Sequence, residues 1–178
     1  MVRAFCQVLV TAVLASASIA GAEEDLPKGW RLPNQTELAD EERNGSPQRL
    51  ARAVGDFNGD GVQDEALLLK SEAFSGEGLW VRLSARNGTR RWVALDKINW
   101  GPSYPNVPLA MAVEVAPPGI HRYGCFDGVK DCNFGPHEQR PKLKLRDSAI
   151  VYYKPESAGS MYFWSKRRNR FMRVWLSD

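Results

Sequence analysis

Short apolar segments separated by turn-forming residues restrict the fold of this chain more than any other feature. Leu79–Ala85 and Thr89–Asp96 flank Asn87-Gly88, a dipeptide typical of tight β-hairpin turns. Further strands are predicted at residues 109–116, 142–147, 148–153, 160–165 and 170–177, of which the last three form a C-terminal meander. The pattern predicts about eight strands in a mainly β, compact, antiparallel and sandwich-like domain.

One short helix is predicted near the start, over Pro33–Arg43. Asn34 and Glu37 have the spacing of a capping box, in which each side chain accepts a hydrogen bond from the backbone N–H of the other residue. Pro47 prevents the helix from continuing. The helix therefore precedes the strands.

The first 22 residues are typical of a secretory signal peptide. Arg3 gives the positive start, Phe5–Ala17 the apolar run and Ala20-Gly21-Ala22 the small-residue cleavage site. The run is too short and too broken by small residues to serve as a membrane anchor. Cys6 lies at the start of this run rather than after the cleavage site, so this cysteine does not have the position of a lipid-bearing one. The sequence predicts a periplasmic or secreted protein with one domain over residues 23–178 and no membrane-spanning segment.

Charge and cysteine content narrow the partners and the compartment. A formal net charge of +3 is too mild to indicate a nucleic-acid partner. Cys125 and Cys132 remain after signal removal, and in an oxidising compartment such a pair predicts a disulfide that closes a small loop. With His121 and His137 the same cysteines could instead form a zinc site. The export signal favours the disulfide.

The stretch Val54–Leu69 is acidic and rich in glycine at its start. Counted from Asp56, side-chain oxygens fall at positions 1, 3, 5 and 9, and position 7 offers a backbone carbonyl; the residues are Asp56, Asn58, Asp60, Asp64 and Val62. Ca²⁺ takes six to eight oxygen ligands, whereas Mg²⁺ needs stricter geometry and transition metals favour imidazole or thiolate. The pattern predicts a Ca²⁺ loop; the alternative is a solvated turn without metal.

The loop differs from the helix-loop-helix calcium hand. Position 12 is Leu67, where that motif has a bidentate Glu, and no helix is predicted before Asp56. GDFNGDGVQDEALLL resembles the calcium loops of FG-GAP and integrin-α repeats, in which a β-hairpin replaces the helices. The resemblance implies Asp56, Asn58, Asp60, Val62 and Asp64 as ligands, with Glu65 as a supplementary oxygen. Those repeats form β-propellers of several blades, but the motif occurs once here, so only the metal loop is carried over.

A fixed loop of this kind predicts a structural role for calcium. Without metal its three carboxylates repel one another. Bound metal stabilises the folded state by mass action, and an exported protein meets enough calcium to fill a weak site. A calcium sensor needs an element that switches between two conformations, and the sequence does not indicate one.

Catalytic signatures are absent from the sequence. It has no Gly-x-Ser-x-Gly motif, and a disulfide would leave no thiol for a Cys-His pair. Glu72, Glu77 and Glu114 could pair as glycosidase carboxylates, but their spacing indicates nothing. Neither an enzymatic activity nor a small-molecule substrate is expected.

Two surface features indicate protein recognition. The turn between the last two strands carries Lys166, Arg167, Arg168 and Arg170, a basic tip suited to an acidic partner surface. The disulfide loop Gly124–Gly135, with Phe126 and Asp127, would lose little entropy on docking. The simpler interpretation of the tip is a solvated turn that discourages edge pairing.

In overall architecture the chain resembles small periplasmic proteins of Gram-negative bacteria that bind or inhibit other proteins. Some of these are immunity proteins, which block a toxin delivered into the periplasm. The resemblance implies a non-enzymatic, calcium-stapled periplasmic binder with a protein partner. Two alternatives are an envelope hydrolase and a carbohydrate-binding module that uses exposed tryptophans.

Overall fold

The computed structural model describes residues 26–39, 49–105, 107–126 and 140–177. These residues form strands and turns and contain no helix. The strands are β1 (Trp30–Arg31), β2 (Arg52–Gly55), β3 (Asp64–Ser71), β4 (Gly76–Ser84), β5 (Arg90–Asn99), β6 (Ala112–Ala116), β7 (Gly119–Arg122), β8 (Cys125–Phe126), β9 (Lys142–Leu145), β10 (Ala149–Tyr153), β11 (Gly159–Ser165) and β12 (Arg170–Ser177). The predicted signal peptide lies outside the described residues.

The described strands form two five-stranded sheets and one two-stranded ribbon. The first sheet has the order β1-β3-β4-β5, with β2 also paired to β3. The second has the order β6-β10-β11-β12-β8, and β7 pairs with β9 in the ribbon. All strand pairs are antiparallel, which confirms the predicted sheet type and the C-terminal meander β10-β11-β12.

The predicted hairpin joins β4 and β5 at Asn87-Gly88. Ala85 N–H donates to Thr89 O over 2.9 Å, and Gly88 N–H donates to Ala85 O over 2.8 Å. Gly88 has φ +82°, a conformation that costs glycine little because it has no Cβ. The local turn chemistry therefore sets the start of β5.

The main core lies between the two five-stranded sheets. Leu68, Leu79 and Val81 from the first sheet pack in one cluster with Val113 and Ile150 from the second. Their strands alternate side chains between two faces, so each sheet also has an outer face. Met161 and Val174 pack on the outer face of the second sheet together with Leu143 and Leu145 of the ribbon. The architecture is a sandwich with a covering ribbon on one side.

The predicted helix is represented in the described residues by a single turn. Its capping box forms as expected: Glu37 N–H donates to Asn34 Oδ1 over 2.9 Å, and Asn34 N–H donates to Glu37 Oε2 over 2.8 Å. Leu38 N–H donates to Asn34 O over 3.0 Å, as in one helical turn. Residues 40–43 of the predicted helix lie outside the described residues.

Glu37 is 5% exposed and binds Arg31 through both carboxylate oxygens, over 2.6 and 2.7 Å. This hydrogen bonding lowers the pKa of Glu37 below its usual range, against the opposing effect of burial. The turn is therefore tied to β1 by an ionised carboxylate.

A pH dependence follows from this pair. Because the pKa of Glu37 is lower in the folded than in the unfolded state, the pair stabilises the fold above about pH 4.3, the ordinary pKa of Glu, and that stabilisation is lost as pH falls through the folded pKa. We expect Glu37→Gln to lower the free energy of unfolding at pH 7. The difference in this free energy between the variant and the wild type should become smaller toward pH 3. Urea denaturation at several pH values measures this, and a constant difference would contradict it.

No helical stretch in the described ranges has the length and apolarity that a membrane crossing requires.

Candidate metal site

The acidic loop connects two paired strands of the first sheet. β2 ends at Gly55 and β3 begins at Asp64, and these residues are opposite one another in the antiparallel register. Phe57, within the loop, is fully buried in the core between the sheets. Burial of such a ring contributes about 1.5–3 kcal/mol. The loop is thus a hairpin connection anchored by its own aromatic side chain.

Asp56 organises the first half of the loop by accepting three backbone hydrogen bonds. Its Oδ1 accepts from Gly59 N–H over 2.7 Å and from Asp60 N–H over 3.1 Å, and its Oδ2 accepts from Gly61 N–H over 2.8 Å. Gly59 and Gly61 have φ +72° and +85°. These left-handed conformations allow the tight winding that brings the N–H groups to one carboxylate.

Asn58 and Asp60 continue the same winding. Asn58 Oδ1 accepts from Asp60 N–H over 2.9 Å, and Asp60 Oδ1 accepts from Val62 N–H over 2.8 Å. Their side chains also meet, since Asn58 Nδ2 donates to Asp60 Oδ2 over 3.1 Å. Both side chains are half-buried and lie on the loop itself.

Asp64 lies beside this group and connects the loop to the neighbouring strand. It is 1% exposed; its Oδ2 accepts from Phe57 N–H over 3.0 Å and its Oδ1 from Ser84 N–H over 2.9 Å. Burial raises the pKa of Asp64, while the hydrogen bonds from Ser84 and Phe57 oppose the rise. Asp64 therefore fastens the loop to β4.

The predicted ligands are thus partly brought together. Asp56, Asn58 and Asp60 share the loop, but no three acidic, histidine or cysteine side chains of the described residues converge to hold a metal ion as they stand. Asp56 Oδ1 accepts two hydrogen bonds, whereas Asp56 Oδ2 and both carboxylate oxygens of Asp60 accept one each and carry a second lone pair. Three carboxylates, one amide oxygen and one backbone carbonyl are hard oxygen donors, and this donor set fits Ca²⁺.

Glu65, for which the resemblance implies a supplementary metal role, has contacts with two arginines. It forms ion pairs with Arg52 of β2 and Arg82 of β4. Adjacent residues of a strand point to opposite faces, so Glu65 lies on the face of β3 opposite to Asp64. Its carboxylate forms one ion pair with each of the two neighbouring strands.

Two charged residues beside the loop were not predicted from the sequence. Arg86 Nε donates to Asp60 O over 3.2 Å. Asp147, between β9 and β10, lies so close to the loop that a Cβ added to Gly59 would be 2.5 Å from its carboxylate. Both residues are far from the loop in the sequence. Strand pairing within the first sheet and the packing of the two sheets place them here.

Asp147 also connects the loop to the basic tip between β11 and β12. Lys166 Nζ lies 3.1 Å from Asp147 Oδ2. The other predicted cations of the tip, Arg167, Arg168 and Arg170, are exposed. The acidic loop and the basic tip therefore lie at the same end of the sandwich.

The second predicted recognition feature is only partly described. Cys125 and Phe126 form β8, whose backbone pairs with β12. Cys132, Asp127 and His137 lie outside the described residues, and so do the predicted disulfide and the alternative zinc site. His121 Nε2 lies 2.8 Å from Pro117 O, a local contact within the ribbon region.

The tryptophans of the first sheet's outer face are packed against cations. Lys97 Nζ lies 5.7 Å from the ring centre of Trp30 and 5.1 Å from that of Trp80. The guanidinium of Arg82 lies 5.6 Å from the ring centre of Trp92. Because these cations cover the ring faces, the arrangement does not favour a sugar-stacking platform.

Comparison of the chain with protein-family models, curated proteins and solved structures found no match.

Proposed function

We propose that this protein is a non-enzymatic, exported binder that inhibits another protein, as an immunity protein inhibits a secreted antibacterial toxin. The observation that carries the proposal is the joining of the acidic loop to the basic tip through Asp147. Its carboxylate packs against Gly59 and pairs with Lys166 over 3.1 Å. A structural loop and a strongly basic surface thus form one end of the molecule.

Calcium has a structural role in this proposal. Asp56, Asn58, Asp60 and Asp64 would hold the ion through side-chain oxygens, and Val62 through its carbonyl. Bound Ca²⁺ would supply two positive charges to a loop with three carboxylates. The chain's own contribution is to restrain those carboxylates with backbone N–H groups and to anchor the loop through Phe57. A fixed loop in turn fixes Asp147 and the tip.

Recognition rather than catalysis is supported by the placement of the acidic residues. Glu77 is fully buried and accepts hydrogen bonds from the N–H groups of Ala110 and Met111, so it cannot meet a substrate. Glu114 lies exposed on β6, in the other sheet from Glu77. These carboxylates do not have the arrangement of a glycosidase pair.

Retention of a partner from periplasmic extract tests the proposal. We expect the immobilised mature protein to retain a protein partner, and the charge-reversed variant Arg167→Glu/Arg168→Glu to retain at least tenfold less, because like charges oppose docking. Chelator should reduce retention by the wild type.

The matched control is Arg122→Glu, which reverses an exposed arginine of the ribbon, and it should retain the partner as the wild type does. If nothing is retained while the purified protein turns over a cell-wall substrate, the hydrolase alternative replaces this proposal.

A further inference from the structure

A groove runs along β5 between the two sheets at their open side. It consists of two adjoining clefts of about 400 and 460 Å³. One wall is formed by β5 residues Arg90, Arg91 and Val93–Leu95, and the other by Trp164, Arg168 and residues 170–173 of the β11–β12 hairpin. We call this the edge groove. Its upper end reaches Asn58 and Asp60 of the acidic loop.

β5 is the outermost strand of the first sheet. Among the described strands it pairs with β4 alone, along Arg90–Asn99. An edge strand presents every second pair of its N–H and C=O groups outward, where another extended chain can pair with it. The edge groove thus has a backbone template along one wall.

Four arginines that line the edge groove have no acidic partner in the part of the chain that the structure describes. Arg90, Arg91, Arg168 and Arg170 form no ion pair with a carboxylate of the described residues, whereas Arg173 pairs with Asp96 over 3.4 Å. The exposed arginines stand on both walls, two on β5 and two on the hairpin. A chain lying in the groove would therefore meet arginines of both walls.

Trp164 gives the hairpin wall of the edge groove an apolar surface. Its ring packs edge-on against Phe171, with ring centres 5.1 Å apart and planes at 81°. The guanidinium of Arg91 lies 5.8 Å from the ring centre of Trp164. These two contacts restrain the ring, so a docking segment would meet a preformed surface at low entropic cost.

We propose that the edge groove receives an extended acidic segment of the protein partner, which adds to β5 as a further strand and places its carboxylates against the groove arginines. The inference rests on the proposed function and names the surface and the partner chemistry. Backbone pairing supplies position, and Arg–carboxylate contacts supply selection for acidic residues.

Protection of the edge is the simpler explanation of these charges, since charged residues and a bulge deter unwanted strand pairing. That explanation accounts for Arg90 and Arg91 and for the register shift opposite Leu79 and Trp80. It does not require Arg168, Arg170 and Trp164, which stand on the opposite wall. A flat anionic membrane would meet the projecting tip rather than this concave surface.

Binding of a defined peptide tests the inference. The probe is a fluorescein-labelled ten-residue peptide that alternates glutamate with valine, followed by fluorescence anisotropy at low salt. We expect binding that weakens with salt and at least tenfold weaker binding when glutamine replaces glutamate. Methylation of alternate peptide nitrogens on the edge that faces β5 should also abolish binding, because it blocks strand pairing.

Variants locate the site. Arg91→Gln and Arg168→Gln, one on each wall, should each raise the Kd about tenfold, the size expected for one charge-assisted contact. The matched control Arg122→Gln should leave the Kd unchanged. Equal binding of the glutamine peptide, an equal effect of Arg122→Gln, or binding only to phosphatidylglycerol vesicles would overturn the inference.

The experiments distinguish a failure of the edge-groove proposal from a failure of the proposed function. If a partner is retained equally by the wild type and by Arg91→Gln/Arg168→Gln, and the acidic peptide does not bind, the edge groove is wrong and the binder function stands. If the peptide binds as expected but no partner is retained and a cell-wall substrate is turned over, the groove still binds acidic chains and the proposed function fails.

Discussion

Replacing Asp60 by alanine is expected to abolish the stabilisation of this protein by calcium. Calcium sites of extracellular modules have Kd values of about 0.1–1 mM, so 10 mM calcium should stabilise the wild type by about 1.4–2.7 kcal/mol. For a domain of this size that corresponds to roughly 3–10 °C in Tm. Asp60→Ala removes one of three carboxylates and should melt at the same temperature with calcium or with chelator.

The change in calcium dependence is the informative quantity, because Asp60 also accepts hydrogen bonds from Val62 and Asn58. Loss of those bonds lowers Tm in either condition. Asp60→Asn keeps an acceptor but loses the charge, and it should also lose most of the calcium effect. The control Glu114→Gln removes an exposed carboxylate of β6 and should respond to calcium as the wild type does. A wild-type Tm that is the same with calcium and with chelator would contradict the expectation.

Replacing Glu77 by alanine is expected to destabilise the fold by about 3 kcal/mol or more, independently of calcium. The carboxylate is fully buried and accepts from Ala110 N–H over 3.1 Å and Met111 N–H over 2.9 Å. Lys70, opposite Glu77 in the register, is 4% exposed and donates to Val107 O over 2.7 Å. The two residues thus fasten the segment 107–111 to the first sheet.

Loss of the Glu77 carboxylate leaves two half-buried N–H groups without this acceptor and the buried Lys70 ammonium facing alanine, each of which is costly. Thermal unfolding should show a fall in Tm of roughly 6–12 °C. Glu72→Ala is the matched control, since this exposed glutamate lies in the connection between β3 and β4 and should change stability by no more than about 0.5 kcal/mol. Similar Tm values for Glu77→Ala and Glu72→Ala would contradict the expected contribution of the Glu77 carboxylate to stability.

Local sequence chemistry was sufficient to predict part of the fold. The hairpin at Asn87-Gly88 and the meander β10-β11-β12 depend on turns and alternation between neighbours, and both are confirmed. The structure describes twelve strands where about eight were expected. Trp30–Arg31 and Cys125–Phe126 are two-residue strands that exist only because a distant strand pairs with them, so their own sequence carries no periodic signal.

In the candidate site, too, the features set by neighbouring residues were predictable and those set by distant strands were not. The turn residues of the acidic loop indicated its tight winding and its place between two strands, because Asp, Asn and Gly direct the backbone locally. The neighbours Arg86 and Asp147 arrive through sheet pairing and had no signal in the sequence. The ion pairs of Glu65 had no local signal either, because the register of β2 and β4 against β3 brings Arg52 and Arg82 to it.

A crystal structure grown in 10 mM calcium tests the central claim most directly, since the claim is that one Ca²⁺ is held between β2 and β3. The account predicts a metal peak at about 2.3–2.6 Å from oxygens of Asp56, Asn58, Asp60 and Asp64 and from the carbonyl of Val62. Well-ordered density in which only water lies among these side chains would contradict it.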